Sequence, residues 1–360
     1  MSKARTRKLQ NRALAQKLRN AAEAERVFEQ PDPLKQYVRR FGWLAIIRNY
    51  VERLREAALD REWKYLTLPG KFSIDIGLLH RAGLIDVNEQ GKLCVAICDE
   101  TYAEVVAAEL RAFGGVLAYS NRRLNDELGL ERSGLRNEFP FDVINLDLCN
   151  PLIQAENVRN LDVIEWIFKL QKGQAFLLLL TTRPDHQARQ HLVELLNQNL
   201  ANEDEFREAY VAQYGGESAD RSLADYTRFT QLVFPKAIAR WARYRGYRTT
   251  EHFVAKYRRQ GGFDMICHSF EFEPLGLRAP AKMHAPRFDS IPANNIDERL
   301  NNELSSRTRT QAETAYVEFI STLPLRQALD VPTILLNDRA LEQDLNNESQ
   351  ALIGWTNAGV

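Results

Sequence analysis

The chain of 360 residues carries 48 Lys and Arg against 48 Asp and Glu, so its formal net charge at neutral pH is zero. This balance excludes binding to nucleic acid or membrane through overall charge, and any such partner must be recognised by a local patch. A hydrophobic content of 44% and a charged content of 27% are ordinary for a globular protein. The basic start has no apolar core, and the longest apolar run, 175–180, is too short to span a bilayer. We therefore expect a soluble, cytoplasmic protein.

The cysteines and histidines give no sign of a metal site. The four cysteines lack CxxC spacing and lie in or at the end of apolar, strand-like segments: Cys94, Cys98, Cys149 and Cys267. Such positions indicate small buried side chains. The six histidines are scattered, without an HExxH pattern. We expect no metal.

Residues 1–62 are predicted to be a helical N-terminal extension. Apolar residues recur at helical spacing within 34–60, which indicates a helical collar packed on the following domain. The basic segment 1–20 fits either the same collar or an arm that contacts phosphates.

From Lys64 onward, strands alternate with helices, which predicts βαβ units and a parallel sheet. Strands are predicted at 64–68, 93–98, 116–120, 141–148 and 174–181. Helices are predicted at 74–82, 102–113, up to 128, 158–170 and about 184–200. Gly83 fits the C-cap of the first of these helices.

The later part of the chain changes character. A polar insertion at about 201–222 is predicted to be a loop or lid, and 223–245 a long helix. Two alternating segments around Gly261 and Gly262 then predict an antiparallel hairpin. Residues 275–360 begin Pro-rich and polar and continue as amphipathic helices, including 311–323, which predicts a C-terminal helical extension.

The fourth strand is the stretch most indicative of a site. It reads FDVINLDLCNPLI over 141–153, a nearly continuous apolar run that is typical of a parallel strand buried on both faces. Pro151 is expected to stop the strand. Ligands of open α/β sheets bind beyond the carboxyl ends of the strands, so Asp147, Cys149 and Asn150 are candidate site residues. The alternative is that they only cap a loop.

Five βα units, a helix and a terminal hairpin resemble the class I S-adenosylmethionine-dependent methyltransferases. The resemblance implies a doubly wound, seven-stranded, Rossmann-like α/β sheet with a terminal antiparallel hairpin over 63–274. The helical extensions lie outside it, at 1–62 and 275–360.

The resemblance also implies the cofactor, S-adenosylmethionine, and its contacts. The turn LTLPGKFSIDIG is similar to the shortened turn of the tRNA guanine-N2 dimethyltransferases, which puts Gly70 and Ser73 beside the methionine part. The second strand ends in Asp99 and Glu100, either of which would accept the ribose hydroxyls. The Thr-rich segment 181–185 would be a cofactor or substrate loop, or alternatively an N-cap cluster.

The fourth strand carries the implied catalytic residues. Residues 145–150, Asn-Leu-Asp-Leu-Cys-Asn, resemble Asp-Leu-Asp-Pro-Phe-Gly of the same dimethyltransferases, and Asn150-Pro151 is similar to the start of Asn-Pro-Pro-aromatic in amino-methylating DNA enzymes. Asp147 and Asn150 would then face the transferred methyl group and the substrate amine. Leu152 and Ile153 replace the proline and the aromatic residue of that motif. A catalytically degenerate scaffold or binding subunit, in a bacterial defence or RNA-processing assembly, is therefore the alternative function.

Nucleic acid is the predicted partner class. Segment 236–259 interleaves basic and aromatic residues, which suits phosphate contacts and base stacking. The candidate contacts are Arg240, Arg243, Tyr244, Arg245, Arg248, Lys256, Arg258 and Arg259. Alternatively, Trp241 and Tyr244 pack one helix face on the sheet and leave the arginines solvated. The helical extensions are candidate surfaces for a protein partner. A dinucleotide-dependent oxidoreductase ranks lower, since GxGxxG does not follow the first strand.

Overall fold

A computed structural model gives the structure of the chain. It describes residues 32–57, 61–151, 160–184, 197, 200–201, 204–216, 235, 238–239, 241–243, 245–258, 264–275, 333–353 and 355. Predictions for 1–20, the turn at Gly261 and Gly262, and helix 311–323 lie outside these residues, as do most of helix 184–200 and much of helix 223–245.

A single seven-stranded sheet forms the centre of the molecule, in the order β3-β2-β1-β4-β5-β7-β6. The first five strands are parallel to one another, and β7 is antiparallel to both of its neighbours, β5 and β6. The strands are β1 Tyr65–Thr67, β2 Leu93–Cys98, β3 Val116–Ser120, β4 Val143–Pro151, β5 Phe176–Arg183, β6 Tyr247–Arg258 and β7 Asp264–Pro274. The predicted doubly wound, seven-stranded sheet with its terminal antiparallel hairpin is confirmed, and the fold is Rossmann-like α/β.

Helices cover both faces of this sheet. They are α1 Pro33–Tyr37, α2 Leu44–Glu56, α3 Ile74–Arg81, α4 Ala103–Glu109, α5 Leu124–Gly129, α6 Gly134–Asn137, α7 Asn160–Leu170, α8 Asp204–Tyr214 and α9 Arg339–Ile353. A π-helical segment, Val38–Trp43, joins α1 to α2. None of the described helices is long and apolar enough to cross a membrane.

The apolar runs of β4 and β5 are buried because each sheet face has its own helical layer. Ile144 and Leu178 point to a core that includes α7. Val143 and Leu177 point to the opposite core, which includes α1, α2 and α3. We call this second side the α2 face. The N-terminal helices therefore pack directly on the sheet and cover the strands from which the candidate site is built.

The C-terminal segment also packs on the α2-face helices. Thr333 pairs with Lys256 at the outer edge of β6, and α9 lies against α1 and α3. The ring of Trp355 stacks on Phe113, with 4.9 Å between the ring centroids, and lies against Gly77 of α3. A Cβ at Gly77 would come within 2.7 Å of the indole, so this close approach needs glycine.

One strand boundary and one element differ from the predictions. The fourth strand runs to Pro151, which pairs with Arg183 of β5 after a shift in register. Proline is tolerated there because β1 pairs with β4 only as far as Asn145. Beyond Asn145, β4 has no hydrogen bonds to β1 that the missing N–H of proline would interrupt. The insertion at 201–222, predicted to be a loop or lid, contains helix α8. The side chain of Tyr210 in this helix is buried in the core that includes α7.

The described cysteines are buried and free, as the sequence predicts. Burial raises the pKa of the Cys98 and Cys267 thiols to about 12, so both stay protonated and unreactive near neutral pH. The side chain of Cys149 is not among those described. No His, Cys, Asp and Glu cluster suited to a metal occurs within the described part of the chain.

Candidate functional site

The turn between β1 and α3 has an unusual backbone at the two residues that the sequence singled out. Gly70 has φ +59°, which glycine adopts without penalty. Ser73 has φ 43° in the left-handed region, which costs a non-glycine residue about 1 kcal/mol or more. Its hydroxyl is buried and forms no hydrogen bond to any described group. The fold therefore holds a strained residue with an unsatisfied hydroxyl at the start of α3.

A buried polar cluster lies beside this turn, at the carboxyl end of β1. Asp75 Oδ2 accepts hydrogen bonds from Tyr65 Oη at 2.8 Å, Thr67 Oγ1 at 2.5 Å and Asn145 Nδ2 at 3.2 Å. The sheet register pairs Thr67 with Asn145, which brings β1 and β4 together at this point. We call Tyr65, Thr67, Asp75 and Asn145 the Asp75 cluster.

The Asp75 cluster has two acceptor atoms to spare. Asp75 Oδ1 and Asn145 Oδ1 are buried and receive no hydrogen bond from the described residues. The residues themselves are only 6% and 1% exposed, so water does not easily replace the missing donors. An unsatisfied buried acceptor costs about 1–3 kcal/mol. Two such acceptors beside the Ser73 hydroxyl suit a ligand that brings hydrogen-bond donors, and a cationic group best of all.

Tyr65 supplies a permanent donor to this cluster. Burial and the neighbouring Asp75 raise the pKa of Tyr65 well above its ordinary value, so the phenol keeps its proton. Asp75 and Asn145 are not among the site residues predicted from the sequence. The available signal was an acid in the first turn of the helix after β1, where a negative charge is favoured by the helix dipole.

Asp147 lies two residues beyond Asn145, on the same face of β4 and opposite Thr181 of β5. Lys35 Nζ is 2.5 Å from its Oδ2, and Arg39 Nη2 is 3.9 Å from the same atom. The side chain of Asp147 is only 8% exposed. Asp147, a predicted catalytic residue, is therefore covered by the N-terminal helices and forms ion pairs with their cations.

The other predicted catalytic residue, Asn150, lies in β4, and its side chain is not described. The Thr-rich segment is not a turn at its start, because Thr181, Thr182 and Arg183 belong to β5. Thr181 Oγ1 is 3.5 Å from Cys267 Sγ. Both threonines are buried within β5, so this part of the segment is strand and not loop.

Asp99 and Glu100 follow β2 at the same edge of the sheet, and the structure distinguishes them. Asp99 Oδ1 accepts from the N–H groups of Thr101 and Tyr102, each at 2.8 Å, and so stabilises the turn that precedes α4. Glu100 is exposed and accepts from Arg123 Nε at 3.1 Å. Both of these Asp99 hydrogen bonds involve Oδ1, which leaves Oδ2 as an acceptor for a ligand.

The arginines predicted to contact nucleic acid do not all lie at the surface. Arg243 and Arg245 are 9% and 3% exposed, and Arg245 pairs with the buried Glu165 of α7. Side chains buried to this extent do not reach a phosphate at the surface, so the prediction of Arg243 and Arg245 as nucleic-acid contacts was wrong. Arg240, Tyr244 and Arg259 lie outside the described residues.

A β-bulge separates the basic residues of β6. Glu251 pairs with Phe270 and Phe253 with Ser269, so His252 is one extra residue in the strand. One extra residue reverses the alternation of side chains. Arg248 therefore lies on the opposite face from the other two candidates, Lys256 and Arg258. Arg258 also donates to Asp264 at 3.0 Å. These residues do not form one continuous basic surface.

Comparisons with known proteins place this geometry in context. No curated protein matches the chain. Among solved structures, the methyltransferase domain of bacterial CtHen1-C is similar over 62% of this chain and 95% of that domain, with 12% identity and a TM-score of 0.33. The model of the PP_RS20740-like family matches residues 31–86 and 112–284, which cover β1, the Asp75 cluster, β4 and the hairpin. With well over half of its residues matched, the chain belongs to the PP_RS20740-like family.

Proposed function

We propose that the protein is an S-adenosylmethionine-dependent methyltransferase that acts on an amine of a nucleic acid base. The observation that carries the proposal is the set of unsatisfied buried polar atoms, Ser73 Oγ, Asp75 Oδ1 and Asn145 Oδ1, at the carboxyl end of β1. In open α/β sheets this edge is where ligands bind. The cofactor has an amino-acid end that carries an ammonium group, which is the kind of donor that these acceptors lack.

The residues of the site would contact different parts of the cofactor. Asp75 and Asn145 accept hydrogen bonds from the ammonium group, and the turn at Gly70 and Ser73 lies along the same end of the cofactor. Asp99 Oδ2 accepts a ribose hydroxyl while Oδ1 keeps its hydrogen bonds from Thr101 and Tyr102. The bound cofactor supplies an electrophilic methyl group.

Asp147 has the remaining part, which is to orient the substrate. Its carboxylate accepts a hydrogen bond from the substrate amine and aligns the nitrogen lone pair with the methyl group. The Lys35 ammonium is at hydrogen-bond distance from this carboxylate, so a substrate amine must displace it or share the carboxylate with it. Nucleic acid as substrate is supported by the basic and aromatic composition of 236–259, with Lys256 and Arg258 as its described candidates on one strand face.

Calorimetric titration with S-adenosylmethionine and its demethylated product tests the cofactor assignment. The Asp99→Asn variant keeps the turn before α4, because an asparagine side chain closes such a turn as aspartate does, and replaces the second carboxylate oxygen with an amide nitrogen. We expect about tenfold weaker binding in this variant, the loss of one charge-assisted hydrogen bond. Glu100→Gln is the matched control, and its affinity should stay within about twofold of wild type.

Two results would contradict this assignment. If wild type shows no binding at micromolar concentrations, the protein does not use this cofactor. If Glu100→Gln weakens binding and Asp99→Asn does not, the ribose contact belongs to Glu100.

The ion pair at Asp147 favours a second candidate function, a methyltransferase-fold binding subunit without turnover. Lys35 and Arg39 both approach the carboxylate that catalysis would require. Transfer of a labelled methyl group to tRNA and DNA, in wild type and in Lys35→Met, separates the two functions. Cofactor binding without transfer in either protein would support the binding subunit, and transfer by wild type would exclude it.

A further inference from the structure

Arg39 is a buried cation with an unsatisfied donor, its Nε. It lies in the π-helical segment between α1 and α2 and is 8% exposed. Its Nε finds no acceptor among the described residues, and its Nη2 is 3.9 Å from Asp147 Oδ2, too far for a hydrogen bond. A buried guanidinium requires acceptors for its fixed set of donors. Arg39 is therefore ready to receive an anion.

The charges around Arg39 also favour an anion. Lys35, one helical turn earlier, is at 2.5 Å from the same carboxylate, so two cations converge on Asp147. The next arginine, Arg40, is turned away and pairs with Asp344 of α9 at 2.6 Å. Among the described residues, one carboxylate therefore faces two largely buried cations, an imbalance that burial makes costly.

This cationic pair lies next to the unsatisfied acceptors of the Asp75 cluster. Asn145 and Asp147 are alternate residues of β4 on one face, about 7 Å apart along the strand. An acceptor for an ammonium group thus lies at Asn145. Lys35 and Arg39, the donors for a carboxylate, lie beside Asp147, the next residue on this face of β4. An α-amino acid bears both charged groups on one carbon, and a hydrogen bond of about 2.9 Å at each end allows it to span this interval.

We propose that Arg39, assisted by Lys35, is the carboxylate-binding subsite for the amino-acid part of the bound cofactor. This inference rests on the proposed function and adds the N-terminal helical segment to the binding site. Arg39 and Lys35 hold the carboxylate, and Asp75 and Asn145 hold the ammonium group. The protein then distinguishes ligands by the presence of a carboxylate.

The test compares three ligands by calorimetry. S-adenosylmethionine has both charged groups, its decarboxylated form lacks the carboxylate, and methylthioadenosine lacks the whole amino-acid part. We expect Arg39→Met to weaken S-adenosylmethionine binding by about 10- to 100-fold, and to change methylthioadenosine binding by no more than about twofold. The wild type should prefer S-adenosylmethionine to the decarboxylated form by a similar factor.

Arg40→Met is the matched control, since it removes a half-buried arginine that points away from Asp147 in the same helical segment, and it should leave all three affinities unchanged. Circular dichroism and urea unfolding establish that both variants fold. Equal losses for all three ligands, unchanged binding in Arg39→Met, or a wild type that does not distinguish the decarboxylated form would each overturn the subsite and leave the proposed cofactor in place. A wild type that binds none of the ligands would overturn both.

Discussion

Replacing Asp75 in two ways separates its structural role from its proposed binding role. In Asp75→Asn, the amide oxygen can occupy the position of Oδ2 and keep the hydrogen bonds from Tyr65, Thr67 and Asn145. The new amide nitrogen then takes the position of Oδ1, which no described donor contacts. In Asp75→Ala, all three donors lose this acceptor.

The magnitudes follow from these contacts. Each buried donor left unsatisfied costs about 1–3 kcal/mol. Asn145 Nδ2 also reaches Tyr65 Oη at 3.0 Å and Thr67 Oγ1 at 3.3 Å, so part of the loss in Asp75→Ala is recovered. We expect the free energy of unfolding to fall by about 2–4 kcal/mol in Asp75→Ala. In Asp75→Asn the fall should be about 1 kcal/mol or less, because weaker hydrogen bonds are offset by the removal of a buried charge.

Urea unfolding followed by tryptophan fluorescence measures stability, and calorimetry measures S-adenosylmethionine affinity. We expect Asp75→Asn to unfold near the wild-type midpoint and to bind the cofactor about tenfold or more weakly, since a charged acceptor has become neutral. Asp75→Asn with wild-type affinity would refute the binding role. Equal destabilisation in the two variants would refute the view that one oxygen of Asp75 is free of structural contacts.

Three further predictions concern stability, each measured by urea unfolding. Burial alone would raise the pKa of Glu271, but hydrogen bonds from His252 and Arg53 outweigh burial and hold that pKa below its ordinary value. The resulting stability is present above the unfolded-state pKa of about 4.3 and is lost as pH falls through the folded-state pKa. The free energy of unfolding of Glu271→Gln should therefore depend less on pH in acid than that of wild type, and an identical pH profile would contradict this. Gly77→Ala should destabilise by about 1–3 kcal/mol because its Cβ displaces Trp355, and in a Trp355→Ala background the same change should stabilise by up to about 1 kcal/mol through helix propensity. Arg245→Met should lower the free energy of unfolding by about 3–5 kcal/mol, because it leaves Glu165 buried without its cation. Arg248 is exposed, and Arg248→Met should lower the free energy of unfolding by less than about 1 kcal/mol; similar losses in the two variants would show that the buried pair does not stabilise the fold.

Much of the fold was predictable from local patterns along the chain. The apolar runs of the fourth and fifth strands, the alternation of strands with helices and the two β-rich segments of the hairpin give the seven strands without any long-range information. Gly70, Ser73 and Asp99 were predicted as site residues because they lie in the segments that follow the first two strands. The course of β4 through Pro151 was not predictable, since a proline is tolerated only where the neighbouring strand has already ended.

What only the tertiary structure decided is which distant side chains meet. Asp75 and Asn145 share a hydrogen-bonded cluster, and Lys35 reaches Asp147, across separations of 70 residues and more in the chain. Arg245 resembles a surface cation in the sequence, and its burial follows from Glu165 on another helix. Local sequence sets the type of each element, because backbone propensity and side-chain periodicity act over a few residues. Burial and charge pairing depend on the packing of several elements, so the candidate site emerges only when the sheet and its helices are assembled.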